Sequence, residues 1–259
     1  MKLLLTVFLS LTVAFVHGGK WITTTTPRSN PDDKEPVGII TRGYTAADHE
    51  APYIVFLFLH NEGKNVGGLC GGVIIHSNWI LTAGHCVGSD WVDIHYGTNT
   101  KWGGYVHKVA KSNVYKRDKY DIALVRTPYN AFNERVNKVA LPKRETYTNQ
   151  WAKACGWGEM DVGQKSDKLQ CVQLQIISTE ECQKTFRFVL NDTVCVSTPG
   201  GKSTCHGDSG GPLVTLNNPV LVGITSWGDA RGCMVGSPTA FARVSFHLDW
   251  IRQITGITA

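Results

Sequence analysis

Residues 201–214 read GKSTCHGDSGGPLV, with Gly207-Asp208-Ser209-Gly210-Gly211 at the centre. Glycines on both sides of a serine let the backbone turn tightly, hold the hydroxyl out and aim amide N–H groups at whatever approaches it. Two further segments set polar groups against strands. Leu81-Thr82-Ala83-Gly84-His85-Cys86 ends a strand on a histidine pinned beside a cysteine. Asp121-Ile122-Ala123-Leu124 runs from a carboxylate directly into an apolar strand. Singly, each has an ordinary structural reading: a satisfied histidine, a turn-forming aspartate, a tight Gly-Ser-Gly turn. Together, in this order and these contexts, they supply a nucleophile, a base and an acid to orient the base.

Around these segments the pattern is β. Tyr53–Leu59, Gly72–Ile75, Trp79–Thr82, Trp91–Tyr96, Ile122–Arg126, Leu169–Ile177 and Val220–Trp227 are short runs rich in Val, Ile, Leu and aromatics, separated by turn residues. Leu169–Ile177 (LQCVQLQII) begins with near-strict alternation, the mark of a half-buried strand. Ser178 and Glu181 have capping-box spacing and predict a helix start. A second helix is predicted over Ser245–Ile254, with Leu248, Ile251 and Ile254 on one face. Many short strands plus a terminal helix suggest an all-β barrel architecture.

Residues 1–18, MKLLLTVFLSLTVAFVHG, carry one lysine and then an unbroken apolar and hydroxyl run, the anatomy of a cleaved secretory signal. Its apolar core is short for a bilayer span, and no other long apolar run follows. Residues 19–39 are rich in threonine, proline and mixed charge up to Pro36 and read as a propeptide. The dense apolar pattern of the main domain, 40–259, starts at Ile40. Eight cysteines without a C-x-x-C pair, in a chain bound for an oxidising compartment, indicate disulfides rather than zinc ligands. The 26 Lys+Arg against 21 Asp+Glu are scattered, which argues against nucleic-acid and membrane partners.

The domain resembles the chymotrypsin family of serine endopeptidases throughout, and looks closest to the Jonah group of fly digestive proteases. The resemblance is carried by Glu50-Ala51-Pro52-Tyr53-Ile54-Val55, CGGVIIHSNWILTAGHC (70–86), Ala154-Cys155-Gly156-Trp157-Gly158, GKSTCHGDSGGPLV (201–214) and Phe246-His247-Leu248-Asp249-Trp250-Ile251. It implies two packed six-stranded antiparallel β-barrels with a C-terminal α-helix and the catalytic residues between the barrels. His85 is then the base, Asp121 the residue that orients it, and Ser209 the nucleophile. The N–H groups of Gly207 and Ser209 form the oxyanion hole.

The resemblance also implies a specificity pocket. Ser203 lies at its base, where a trypsin-like enzyme would place a carboxylate, so pairing with a buried Lys or Arg is disfavoured. Ser226, Gly228 and Thr239 form the walls. The expected pocket is apolar and of intermediate depth, suited to Leu, Met, Tyr or Phe before the scissile bond, with small aliphatics as the alternative. The family's activation device maps onto Ile40, whose freed ammonium would pair with Asp208. Ile39 precedes Ile40, where relatives carry Arg or Lys, and the nearest upstream basic residue is Lys34.

By the same resemblance Cys70 pairs with Cys86, Cys182 with Cys195, and Cys205 with Cys233. Cys155 and Cys171, on segments expected to be antiparallel neighbours, pair with each other. Thr215 stands where many vertebrate relatives have the alternative partner for this region. No cofactor is implied, and no metal: the loop that binds calcium in some relatives has no Asp or Glu between Gly97 and Arg117. Asn191-Asp192-Thr193 is the single N-x-S/T sequon. The expected partners are protein or peptide substrates and protein protease inhibitors, met as a monomer. A catalytically silent homologue serving as a binding module is the alternative from another functional class.

Overall fold

The computed structural model describes residues 40–63, 67–159 and 166–259. The signal (1–18) and propeptide (19–39) readings lie outside the described residues. Among the described residues, fourteen strands form two seven-stranded antiparallel sheets.

The first sheet contains β2 (Ile54–His60), β3 (Gly68–His76), β4 (Trp79–Thr82), β5 (Trp91–Tyr96), β6 (Tyr105–Ala110), β7 (Val114–Lys116) and β8 (Ala123–Arg126). Their spatial order is β6-β5-β2-β3-β4-β8-β7. The second contains β1 (Tyr44–Thr45), β9 (Trp151–Gly156), β10 (Gln170–Ile177), β11 (Thr193–Val196), β12 (Pro212–Thr215), β13 (Leu221–Trp227) and β14 (Thr239–Arg243), ordered β1-β10-β11-β14-β13-β12-β9. Because β9 also pairs with β10, six of these strands close into a barrel, and β1 adds to one end of β10.

The expected two-barrel architecture is present as one closed six-stranded barrel and, in the first half, a curled half-barrel. That sheet curls, but no ladder joins its ends among the described residues. The cause is local: β6 and β7 are two arms of one segment, bent by a 3-10 turn at Lys111–Asn113. One arm pairs with β5 and the other with β8, so a corner in the chain brings the sheet around instead of a hydrogen-bonded seam.

The strands named from the sequence are present with ends shifted by a few residues, and Trp79–Thr82 and Trp91–Tyr96 are unchanged. On β10, Val172, Leu174 and Ile176 face the barrel interior while Gln173 is exposed. Burying each such side chain contributes about 1.5–3 kcal/mol. The unannounced strands have physical reasons for their silence. β9 lines the barrel interior with Ala152 and Ala154, β14 carries Ala240 and Ala242 on the face opposite Phe241, all residues of low strand propensity, and β12 begins on a proline. Ser178 caps α1 (Thr179–Gln183), its Oγ accepting from the Glu181 N–H at 3.1 Å.

The C-terminal helix, α2 (Leu248–Thr255), starts three residues later than the sequence suggests, because Val244–Phe246 form a 3-10 turn. Leu248 and Ile251 are buried, and Ile254 packs at the edge of the core. His247, just before α2, is buried, and its imidazole is pushed down to about 3 by burial and by the nearby Arg117 charge. Its neutral Nδ1 accepts from Arg117 at 2.5 Å, which ties the helix to the turn preceding Asp121. No helix among the described residues is long and apolar enough to cross a membrane.

Candidate active site

His85 stands on a single 3-10 turn, Gly84–Cys86, that follows β4. Its ring is half-exposed and its Nδ1 lies 2.9 Å from Asp121 Oδ2 and 3.1 Å from Oδ1. The backbone N–H of His85 also donates to Asp121 Oδ1 at 2.8 Å, so the carboxylate fixes both the ring and the chain that carries it. Asp121 precedes β8, the strand paired with β4, and that pairing brings the two residues together. Ser226, at the end of β13, donates its hydroxyl to Asp121 Oδ2. Burial raises the Asp121 pKa, but hydrogen bonds from His85 and Ser226 outweigh it and hold the carboxyl below its ordinary value. Asp121 is thus an anion placed to keep a proton on Nδ1 and leave Nε2 as a base.

Ser209 sits in the glycine-rich turn where the two halves of the fold meet. The Gly71 N–H of β3 donates to the Ser209 carbonyl at 2.7 Å. Gly210 adopts φ +79°, and a Cβ there would lie 2.2 Å from Thr82 Oγ1 and 2.4 Å from the Gly71 carbonyl. Only glycine allows this approach. In the turn, the N–H groups of Asp208, Gly210 and Gly211 are committed to the carbonyls of Cys205, Thr225 and Asp208. Those of Gly207 and Ser209 have no acceptor among the described residues. Two unengaged amides beside a serine hydroxyl are what an oxyanion requires. The Ser209 hydroxyl itself has no hydrogen bond to His85 within 3.5 Å; catalytic contacts of this kind are often long until substrate closes them.

A cavity of about 270 Å³ opens beside Ser209, lined by Ser203, Thr225, Ser226, Gly228 and Thr239 among others. Ser203 and Thr239 share a hydrogen bond of 2.6 Å, and Ser203 Oγ also donates to the Thr204 carbonyl at 2.8 Å. The floor is therefore uncharged, with its hydroxyls occupied by each other. The one carboxylate in the lining, Asp229, is engaged by Arg231 at 3.0 and 2.7 Å and by Ser237 at 2.7 Å, and those bonds hold its pKa well below the usual range.

The family model described as Trypsin matches residues 40–251. This chain belongs to the trypsin family. Serine protease 1 of Drosophila melanogaster is 43% identical over 239 residues, covering 87% of this chain and 89% of that protein. Collagenase of Hypoderma lineatum is 32% identical over 233 residues, covering 85% and 88%. The solved structure of HL collagenase superposes with a TM-score of 0.79 at 29% identity, covering 85% of this chain and all of that one. The protein is a trypsin-family serine endopeptidase.

In this trypsin-family chain the segment following residue 39 docks beside the pocket floor. Ile40 is fully buried in the barrel core, Thr41 bridges to Ser203, and Thr41 Oγ1 donates to the Gly201 carbonyl at 2.6 Å. Asp208 is fully buried, accepting from the N–H groups of Gly158 and Cys205 at 2.8 Å each. Burial nonetheless pushes its carboxyl up to about 6. Four disulfides join Cys70–Cys86, Cys155–Cys171, Cys182–Cys195 and Cys205–Cys233. Cys155 and Cys171 lie directly opposite each other on β9 and β10, with Cα atoms 4.1 Å apart. Two groupings with metal-like donor sets, Cys70-His85-Cys86 and Cys205-His206-Cys233, have their cysteines in these disulfides and offer no thiolate. Sequence reasoning missed Thr225 in the pocket wall and the bond from Ser226 to Asp121. No signal in the spacing could have found the latter, because 105 residues separate the two partners.

Proposed function

We propose that the chain is a secreted digestive endopeptidase of the Jonah type, acting through an acyl-enzyme on Ser209 and cleaving after medium to large apolar residues. One observation carries this reading: His85 anchored by Asp121, Ser209 and two unengaged amides converge beside a cavity with an uncharged floor. His85 takes the proton from Ser209 as the hydroxyl oxygen bonds to the scissile carbonyl carbon. The carbonyl oxygen becomes an anion received by the N–H groups of Gly207 and Ser209, each worth about 3 kcal/mol. The C–N bond then breaks, and His85 returns the proton to the leaving amine. Water repeats the sequence on the acyl-enzyme. Asp121 holds the imidazole in the required tautomer and stabilises the imidazolium.

An uncharged floor favours Leu, Met, Phe or Tyr over Lys or Arg, because a cation left unpaired there would cost several kcal/mol. The substrate backbone adds to the edge formed by Ser226 and Gly228 as an extra strand. Proteins, peptides and protein inhibitors are the partners of this monomer. Labelling by a fluorophosphonate tests the reading directly. Reaction at Ser209 supports the enzyme, and no reaction supports a silent homologue that only binds. Thr239→Gly, which opens one wall, is expected to shift preference toward Phe and Tyr by about 1–3 kcal/mol. A wild-type cleavage profile favouring Arg or Lys would refute the pocket reading.

Activation follows from Ile40 and Asp208. In the intact chain Ile40 holds φ +65°, a left-handed backbone that a β-branched residue adopts only under strain. Cutting the 39–40 bond abolishes that dihedral and creates an ammonium group to pair with Asp208. Because the bond follows isoleucine, a non-tryptic protease, or the enzyme itself, makes the cut; release after Gly38 is the alternative. N-terminal sequencing of the active form distinguishes a start at Ile40 from one at Ile39, and full activity with residues 19–39 attached overturns both.

The pairing also carries a pH signature. With its pKa raised to about 6, Asp208 of the uncleaved chain binds more protons folded than unfolded, so it loses stability as pH rises from about 4 through 6. An ammonium partner reverses that sign in the cleaved chain. The melting temperature of the cleaved form is expected to pull ahead of the uncleaved form between pH 4 and 7. A gap independent of pH would count against the pairing.

A further inference from the structure

A cavity of about 520 Å³ on the outside of the closed barrel is lined by Asn149, Gln150, Trp151, Gln173, Leu216 and Asn217. None of these residues lines the cavity beside Ser209. Its volume is that of a small-molecule site, about 300–1,000 Å³. Trp151 opens β9 and points away from the buried Ala152 that follows it. It is 51% exposed, an unusual state for so large an apolar ring. Its indole N–H and the side chains of Asn149, Gln150 and Asn217 have no hydrogen-bond partner among the described residues. Strand β10 sets Gln175 directly opposite Trp151 and Gln173 two residues along on the same face. The Gln173 amide meets the Tyr44 hydroxyl, and Gln175 donates to the Asn149 carbonyl at 3.2 Å. The frame around these groups is ordered. The Asn149 N–H donates to the Ile176 carbonyl at 2.8 Å, and the Ile176 N–H returns to the Gln150 carbonyl at 2.9 Å. The Leu216 N–H donates to the Trp151 carbonyl at 3.1 Å, and Thr215 Oγ1 closes the β12–β13 turn on the Asn218 carbonyl at 2.9 Å. The lining carries no ionisable side chain, and Lys153, the next outward residue of β9, is committed to Glu50 at 2.9 Å.

We propose that this cavity binds a neutral sugar unit of an oligosaccharide, with Trp151 as its platform and the amides as its hydrogen-bonding rim. A pyranose ring has an apolar face of C–H groups and an edge of hydroxyls. The indole buries the face and keeps an N–H for the edge. Each hydroxyl is both donor and acceptor, and a primary amide answers both, with a carbonyl oxygen and an NH2 group side by side. The composition of the lining selects against other occupants. A charged ligand would find no opposite charge there. An apolar protein surface would strip water from four amides without replacing their hydrogen bonds, which is costly. Because the backbone on both sides of Trp151 is already tied down, little ordering opposes binding. The site is independent of the reaction at Ser209.

The test is a titration of the full chain followed by NMR of its 15N-labelled indoles, the Trp151 signal being the one lost in Trp151→Ala. The probes are maltotriose, cellotriose, chitotriose and mannotriose, with trigalacturonate as the charged control. At least one neutral trisaccharide is expected to shift the Trp151 signal saturably. Preference for mannotriose points to protein-linked glycans, and preference for the others to free polysaccharide; either supports the proposal. Trp151→Ala is expected to weaken binding, read by calorimetry, about tenfold or more. Gln150→Ala and Asn217→Ala should each weaken it about two- to tenfold. These two remove side chains without internal partners, so melting temperature and hydrolysis of a small peptide ester should match the wild type. No saturable shift with any neutral trisaccharide at millimolar concentration overturns the proposal. So does trigalacturonate binding as tightly as the neutral sugars, or affinity unchanged in Trp151→Ala. Self-association that Trp151→Ala abolishes, with no sugar bound, assigns the face to a second copy of the chain and overturns it as well.

Discussion

Ser209→Ala is expected to reduce kcat for a peptide ester by about a millionfold, the loss seen when the nucleophile of a Ser-His-Asp unit is removed. The fold should hardly notice. The Ser209 hydroxyl has no hydrogen-bond partner among the described residues, so deleting it strands no donor or acceptor, and surface-type changes of this kind stay within about 0.5 kcal/mol. Adding His85→Ala should cost little more, because base and nucleophile act on the same proton. Single-turnover kinetics on both single variants and the double variant check this. A double variant far worse than either single one would show that His85 and Ser209 contribute separately, which the mechanism does not allow.

The second large effect is expected at Asp121. Three donors converge on its carboxylate: the backbone N–H and Nδ1 of His85, and the hydroxyl of Ser226. Asparagine keeps the shape but replaces one acceptor oxygen with an NH2 group. That group donates, so His85 moves its proton to Nε2 and presents no lone pair to Ser209. In Ser-His-Asp triads this change costs about 10⁴-fold in kcat. The pKa of Asp121 lies below its ordinary value, so the carboxylate stays ionised throughout the neutral range in the wild type. Asp121→Asn should therefore lose activity across that whole range, with KM little changed. A kcat within tenfold of wild type, in a variant of unaltered melting temperature, would remove Asp121 from the mechanism.

The candidate catalytic groups of this chain were legible because their local signals are strong. The glycines around Ser209, the strand ending at His85 and the carboxylate opening the Asp121 strand each declare a turn or a strand end within a few residues. The alternation in Leu169–Ile177 likewise marked a half-buried strand, since a two-residue period is a property of the strand itself. Such features depend on φ, ψ and side-chain periodicity, which neighbours in sequence control.

Other features depend on what lies opposite in space. Gly156 and Gly158 read only as parts of a motif. In the fold a Cβ at Gly156 would come within 2.1 Å of Asp208 Oδ1, and one at Gly158 within 2.6 Å of the carboxylate, so together they open the slot that holds it. Ser226 read only as pocket wall until the fold brought its hydroxyl to Asp121. The alanines of β9 carry no strand signal, yet Ala152 and Ala154 are fully buried among the larger side chains of the barrel interior. Trp102 gave no sign of an ordered, exposed ring, because the Phe56, Phe58 and His95 edges that hold it come from β2 and β5. By itself, then, the sequence determined which groups are the candidates for reaction, where the chain turns and which strand faces are apolar, all of which act at short range. Tertiary structure alone decided the steric slots and the partners of buried polar groups, because each depends on atoms supplied by distant segments of the chain.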